Sequence, residues 1–286
     1  MQRLRIKHVT EYLFFAPVVL NCHRLLIRPR EGHDVRIESS KLEISPDYSI
    51  KWYRDVFDNS LALVHFKKQA NRLRIASEVI IQHYEADALD TTANGCPLSN
   101  PFSYEQGELM DLMAYQQPSF MQDQPALQCW LREIGLGIDD PNTLCLHATL
   151  NQVIHSQFEY KKREEAGVQS PLQTLNLGSG SCRDYATLFI EACRSIGLAS
   201  RFVSGYLHAP ATEAGYASTH AWAEVYIPGS GWQGFDPTVG KMTGNSHIAV
   251  AVARNPEAVP PVSGSYIGPK HISPIMHVNV QVNLLD

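Results

Sequence analysis

The stretch that most constrains this chain runs from Gly178 to Gly197, where a Gly/Ser turn leads straight into a segment with helical spacing. Tyr185, Phe189, Ala192, Cys193 and Ile196 recur so that one face of a helix can pack inward. Ser181 followed by Asp184 resembles a capping box, with Asp in place of the usual Glu, and Gly197 is placed to end the helix in a left-handed conformation. Cys182 then falls in the first turn. There the positive end of the helix dipole and the unpaired backbone N–H groups favour a thiolate. The same N–H groups can hold an oxyanion.

A chain of 286 residues, 44% of them hydrophobic, can bury a real core and accommodates two domains. Its net charge of -5 gives no basic footprint, which argues against nucleic acid as a partner. The six cysteines, at positions 22, 96, 129, 145, 182 and 193, form no Cys-x-x-Cys and no paired framework, and the 12 histidines form no His-Glu-x-x-His. Neither a disulfide scaffold nor a metal or organic cofactor is expected. Met1 to His8 lacks the apolar stretch of a secretory signal and no 18 apolar residues run together, so the expectation is a cytoplasmic protein with no membrane partner.

Residues 1–90 read as short strands. Leu4-Ile6-His8, Leu25-Ile27, Val35-Ile37, Leu42-Ile44, Leu61-Leu63-His65 and Leu73 to Ile81 alternate with polar residues, and Asp58-Asn59-Ser60 marks a turn. This predicts an antiparallel β-sandwich-like domain. Arg28, Arg30, Arg54 and Asp55 fall at strand ends and read as solvated, with an interface or substrate-facing patch as the alternative. Residues 91–123, with Asn94-Gly95 and Ser99-Asn100-Pro101, read as a linker. Residues 124–286 form the second unit. It has an amphipathic helix over Gln124 to Gly135, another from Pro141 towards Phe158, the Cys182 helix, and then strands. The runs Ile248 to Val252 and His277 to Leu284 are expected to complete its antiparallel sheet. The fold class is therefore α+β, with helices first and sheet after.

A nucleophilic cysteine needs a base and a group that orients the base. His220 and Asp236 lie 16 residues apart around a turn near Pro228, so a hairpin symmetric about that point sets them opposite each other on one sheet face. Trp222, Glu224 and Tyr226 share the His220 face, and Ala221, Ala223, Val225 and Ile227 form the other. On this reading the His face meets the Cys182 helix. Asp184 reads as the helix cap, Trp222 and Trp232 as wall or core residues, and Glu224 as a poorer orienter than Asp236. Taken singly, the cysteine and the histidine each have an ordinary structural explanation: a buried apolar filler and a satisfied strand histidine. Together with Asp236 they fit one mechanism.

Gly180-Ser181-Cys182-Arg183-Asp184-Tyr185-Ala186, Thr219 to Tyr226 with His220, and Gly234-Phe235-Asp236-Pro237-Thr238 resemble, in order and spacing, three motifs of the transglutaminase-like superfamily of papain-like fold. His8-Val9-Thr10, Leu26 to Arg30 and Arg54 to Asn59 resemble the bacterial transglutaminase-like N-terminal domain, with Asp58 where that family more often has Gly. The resemblance implies a Cys182 nucleophile, a His220 base and an Asp236 orienter. It points to a cysteine peptidase or amidase acting on a peptide, protein or amide substrate through a thioester. The alternatives are an acyltransferase of transglutaminase type and a non-catalytic papain-like scaffold. A calcium-dependent enzyme ranks below these, because no Asp-x-Asp-x-Asp-Gly loop is present. Gln157 and Tyr160 are candidates for a second oxyanion donor.

Overall fold

The computed structural model describes residues 1–84, 104–136, 146–163, 165–208, 219–269 and 273–285. The turn signals at Asn94-Gly95 and Ser99-Asn100-Pro101, and the helix start at Pro141, lie outside them. In chain order the strands of the first part are β1 (Gln2–Leu20), β2 (His23–Leu25), β3 (Val35–Ser45), β4 (Tyr48–Arg54), β5 (Ser60–Phe66) and β6 (Ala70–His83). Then come α1 (Gln106–Gln116), α2 (Gln124–Glu133), α3 (Leu146–Gln157), β7 (Glu159–Tyr160), α4 (Pro171–Leu177), β8 (Ser179–Gly180) and α5 (Cys182–Ser195). The chain continues through β9 (Ser200–Leu207), β10 (Thr219–Ile227), β11 (Gly231–Asp236), β12 (Lys241–Met242) and β13 (His247–Ala253). It returns through β14 (Val262–Ser263), β15 (Tyr266–Ile267) and β16 (Ile275–Leu285).

The expected β-sandwich is present. One sheet runs β15-β1-β6-β3 with β16 also on β1, and the other runs β14-β2-β5-β4. Val18, Leu20, Leu25, Ile27, Ala62, Val64, Leu73 and Ile75 fill the space between them. β1 alternates buried residues from Leu4 to Thr10 and again at Val18 and Leu20. Its first half, Leu4 and Ile6, packs instead into the large core shared with the second domain. β4 was not legible as a strand, because Tyr48 to Arg54 mixes charged and aromatic residues and most of them are exposed. Within the expected linker, α1 is an ordered helix, and a 3-10 turn spans Met121–Asp123.

The run His277 to Leu284 does not complete the second sheet. It lies in β16, which pairs antiparallel with β1 from Arg3 opposite Leu285 to Leu13 opposite Ile275. β14 and β15 likewise join the N-terminal sheets. The second sheet is β12-β11-β10-β9-β13, built from residues 200–253 alone. Alternating apolarity marks which face of a strand is buried, but it carries no information about which sheet receives the strand.

The Cys182 helix sits at the centre. Every residue from Asp184 to Arg194 is buried, so α5 is enclosed on all sides rather than along one stripe. Gly197 takes φ 86 and ends it, as expected. Two charged residues buried on α5 pair with each other and with the surrounding backbone. Glu191 accepts N–H bonds from Ser119 and Phe120, and Arg194 binds Glu191 at 2.6 Å and the carbonyls of Tyr115, Ser200 and Arg254. That network ties the segment after α1 to the helix.

Of the four strand-end residues only Arg30 crosses to the second domain; Arg28 and Arg54 pair with Glu31 and Asp58 at the surface, as the solvated reading expects. Asp55 accepts from the N–H groups of Phe57 and Asn59, shaping a turn in which Asp58 itself adopts φ 61, the conformation glycine would supply. Arg30 donates its N–H to Ala249 O and its guanidinium to Phe57 O and Asn59 Oδ1. His83 binds Asn245 O, and His8 binds the Tyr206 hydroxyl at 2.8 Å. The N-terminal domain is thus fastened to β9, β13 and the turn before β13.

Candidate active site

The turn that leads into α5 is held from three sides. Lys161 N–H donates to Gly180 O and Glu159 N–H to Gly178 O, so the short parallel pair β7 and β8 sets Tyr160 beside Gly180. Ser181 N–H and its hydroxyl both donate to Asp184 Oδ2, while Arg163 and Gln169 N–H occupy Asp184 Oδ1 at 2.7 Å. Asp184 is therefore the cap that the sequence suggests, and a capping box joins it to Ser181. Burial pushes its carboxyl up, but these donors outweigh that and hold it below the usual range. A Cβ at Gly180 would stand 2.9 Å from Asp184 Cβ, so only glycine lets the turn close over the helix start. Cys182 is the first residue of α5 and is half-buried.

His220 and Asp236 meet, though not as direct opposites. The β10–β11 register runs from Ile227 opposite Gly231 to Ala223 opposite Phe235. One further step puts Trp222 opposite Asp236, which leaves Asp236 diagonal to His220. The turn is the three residues Pro228 to Ser230, centred on Gly229 with φ 73, rather than on Pro228. The shift is two positions, so both side chains stay on one face, and a diagonal pair remains within reach of long side chains. His220 Nε2 lies 2.6 Å from Asp236 Oδ2.

The face assignment also needs correction. Ala221, Ala223, Val225 and Ile227 share the core with α5, and Phe235 stacks on Phe189 of that helix. The His220 face carries Trp222, which packs with Val203 and Val252 and against Phe57 of the N-terminal domain. Gly205, opposite His220, makes room for it: a Cβ there would lie 2.5 Å from the indole. Glu224 is committed to Arg201 at 2.6 Å, and Arg201 lies over the Trp232 ring at 4.0 Å, so Glu224 has no part in orienting His220.

Asp236 is fully buried. Oδ1 accepts the Thr238 N–H, and Oδ2 faces a second imidazole, His247 Nε2, at 3.0 Å. Burial raises the carboxyl, but hydrogen bonds from His220 and His247, with the charge of His220, hold it well below the usual range. Burial pulls the His220 ring down. The hydrogen bonds to Asp236 and Cys182, with the charges of both, outweigh this and bring it up to about 10. The thiol of Cys182 is thus among the groups acting on the ring. Tyr160 senses both Cys182 and Asp236, and its phenol is pushed up to about 12, first by burial and then by those charges. Gln157 is exposed at the end of α3.

His247 escaped the sequence reading because the strand was read from its first apolar residue, Ile248. The available signal was one position upstream: a histidine heading a strand that alternates into the core. His220, Asp236 and His247 bring three metal-type donor atoms within 4.8 Å of one another. The carboxylate oxygen is already at hydrogen-bond length from both ring nitrogens, so each donor atom has a protein partner.

A family model described as the transglutaminase-like superfamily matches residues 132–237, a range that includes Cys182, His220 and Asp236, and a bacterial transglutaminase-like N-terminal region matches residues 4–82. The chain is 27% identical over 291 residues to Rv2569c of Mycobacterium tuberculosis, covering 92% of this chain and 87% of the relative. It is 24% identical over 276 residues to ML0607 of Mycobacterium leprae, covering 94% of each; both relatives are called uncharacterized proteins. A solved structure from Cytophaga hutchinsonii, described as "a Putative Cysteine Protease", superposes with a TM-score of 0.75 at 18% identity, over 100% of this chain and 91% of that one. At that identity the likeness establishes the fold.

Proposed function

This chain belongs to the transglutaminase-like superfamily, and on that premise we propose that it is a cysteine hydrolase that cleaves a peptide or amide bond through a thioester on Cys182. The observation that carries the reading is the His220 ring. Its Nε2 is engaged by Asp236 at 2.6 Å, and the Cys182 thiol at the start of a buried helix is among the groups that raise the ring, which supports Cys182 as its other partner. With Nε2–H donated to the carboxylate, Nδ1 is the nitrogen left to take the thiol proton.

In this mechanism the Cys182 thiolate attacks the carbonyl carbon, and the oxyanion is met by the Cys182 N–H at the helix start. Tyr160 is the better candidate for a second donor. It sits beside Gly180, and a phenol at about 12 keeps its proton at neutral pH. Imidazolium His220 protonates the departing amine as the tetrahedral adduct collapses to the thioester. The neutral ring then takes a proton from water, which attacks the thioester and releases the acid and the thiolate.

The test is a library of peptide and amide acyl donors with mass detection of the acyl-enzyme on Cys182, followed by product partitioning with a labelled primary amine at millimolar concentration. Hydrolysis outpacing amine incorporation supports the hydrolase. Predominant amine adduct would make the protein an acyltransferase, and no adduct with any donor would favour the scaffold reading.

A further inference from the structure

We propose that His247 is a positioning residue for this site: a neutral imidazole that donates Nε2–H to Asp236 Oδ2, fixing the carboxylate and sharing its charge so that His220 can give up its proton during turnover. The inference rests on the Cys182–His220–Asp236 reading above.

The tautomer follows from what surrounds the ring. Gly244 N–H points at His247 Nδ1 at 3.3 Å, and a backbone N–H can only donate. Nδ1 is therefore the bare nitrogen, the proton sits on Nε2, and Nε2 is the atom 3.0 Å from Asp236 Oδ2. A charged ring would set one donor against another at Gly244. The Ser246 hydroxyl, 3.4 Å from Nδ1, can supply a second donor to the same nitrogen. The ring is held in place by Trp222, edge to face at 5.3 Å, and its side chain is 6% exposed.

Asp236 then has three N–H partners: His220 and His247 on Oδ2 and Thr238 on Oδ1. Among the described residues, the titratable groups that face this centre are Asp236 from β11, His220 from β10, His247 from β13, Cys182 from α5 and Tyr160 from β7. A carboxylate that binds one imidazole alone concentrates its charge there and stabilises the imidazolium. A second, neutral donor on the same oxygen draws off part of that pull. Without it His220 holds its proton to higher pH, and the step in which it must act as a base towards water is slowed.

The experiment needs no substrate. Iodoacetate, an anion, is drawn to a thiolate–imidazolium pair and loses that attraction when the imidazolium deprotonates, so mass-resolved alkylation of Cys182 against pH has an alkaline limb that reports His220. His247→Leu should move that limb upward by about half a unit to one unit, with near-UV circular dichroism confirming a native fold. His247→Gln, whose amide N–H can donate to the same oxygen, should keep the limb at the wild-type position. A limb unmoved in His247→Leu, or moved equally in both variants, overturns the proposal. If His247→Leu fails to fold, the wild-type protein still decides. Long-range 1H–15N spectra of the ring near neutral pH should give the Nε2–H tautomer for His247, and an Nδ1–H or doubly protonated ring sinks the idea. Should wild-type Cys182 label no faster than the exposed Cys22 and Cys129 and lack the limb, the catalytic reading falls as well. A normal wild-type limb that neither variant shifts removes only the role of His247.

Discussion

Asn59 and Val252 exchange two hydrogen bonds across the boundary between the domains. The side-chain Nδ2 donates to Val252 O and the Val252 N–H donates to Asn59 Oδ1, each at 2.8 Å. A single amide side chain thus imitates a paired strand on the free edge of β13. Asn59 is fully buried and also binds Arg30 and Asp55, so its loss leaves several polar groups unpaired. Asn59→Ala is expected to cost about 2–4 kcal/mol. Urea unfolding should show a lower midpoint, and the segment around His247 should exchange amide hydrogens faster.

Arg194 and Glu191 form a buried ion pair whose remaining polar atoms are satisfied by backbone groups. Removing one partner strands the other charge inside. Arg194→Ala should cost about 3–5 kcal/mol, whereas replacing both with Met and Leu should cost much less. Thermal unfolding of the two variants checks the contrast.

His8 is buried between Tyr206 and Thr10, and burial lowers its pKa to about 4. The unfolded chain binds this proton near pH 6.5 while the folded protein refuses it. The stabilisation is present above that pH and is lost as pH falls from about 6.5 to 4, on the order of 3 kcal/mol. His8→Leu should lower stability at pH 7 and yet flatten the slope of stability against pH in that window. An unchanged slope, measured by denaturant titration at several pH values, would show that His8 is not the group responsible.

Cys182 should alkylate much faster near neutral pH than Cys193, whose thiol burial pushes up to about 12. Asp236→Ala should slow the Cys182 reaction by about tenfold or more, because the ring loses its anchor. Turnover should fall less in Asp236→Ala than in Cys182→Ala when compared at equal folded fraction. Equal labelling of Cys182 and Cys193 would refute the activation.

The residues of the candidate site were legible because they are local signals: a capped helix start, a histidine on an alternating strand and an aspartate before a proline. Their parity on the hairpin was legible too. The exact register was not, since Pro228 to Ser230 closes as a three-residue turn and only the backbone angles at Gly229 and Gly231 decide its centre. What escaped was non-local. His247 reaches Asp236 through the order of strands in the sheet, and Arg30 and Asn59 reveal their role only once β13 lies beside them. Strand patterning marked β16 as a strand with no indication that β1, more than 250 residues away, would receive it.

The pairing of β1 with β15 and β16 imposes an order on synthesis. Both sheets of the N-terminal domain need strands that follow the second domain in the chain, so the part translated first cannot finish until the rest has emerged from the ribosome. A nascent chain halted after β13 would already contain Cys182, His220 and Asp236 but would leave β1 without β15 and β16. Bare edges of this kind recruit strands from other molecules. Maturation of the protein is therefore gated by its final strands, and a premature stop downstream of every candidate catalytic residue should yield aggregation rather than a shortened, working enzyme.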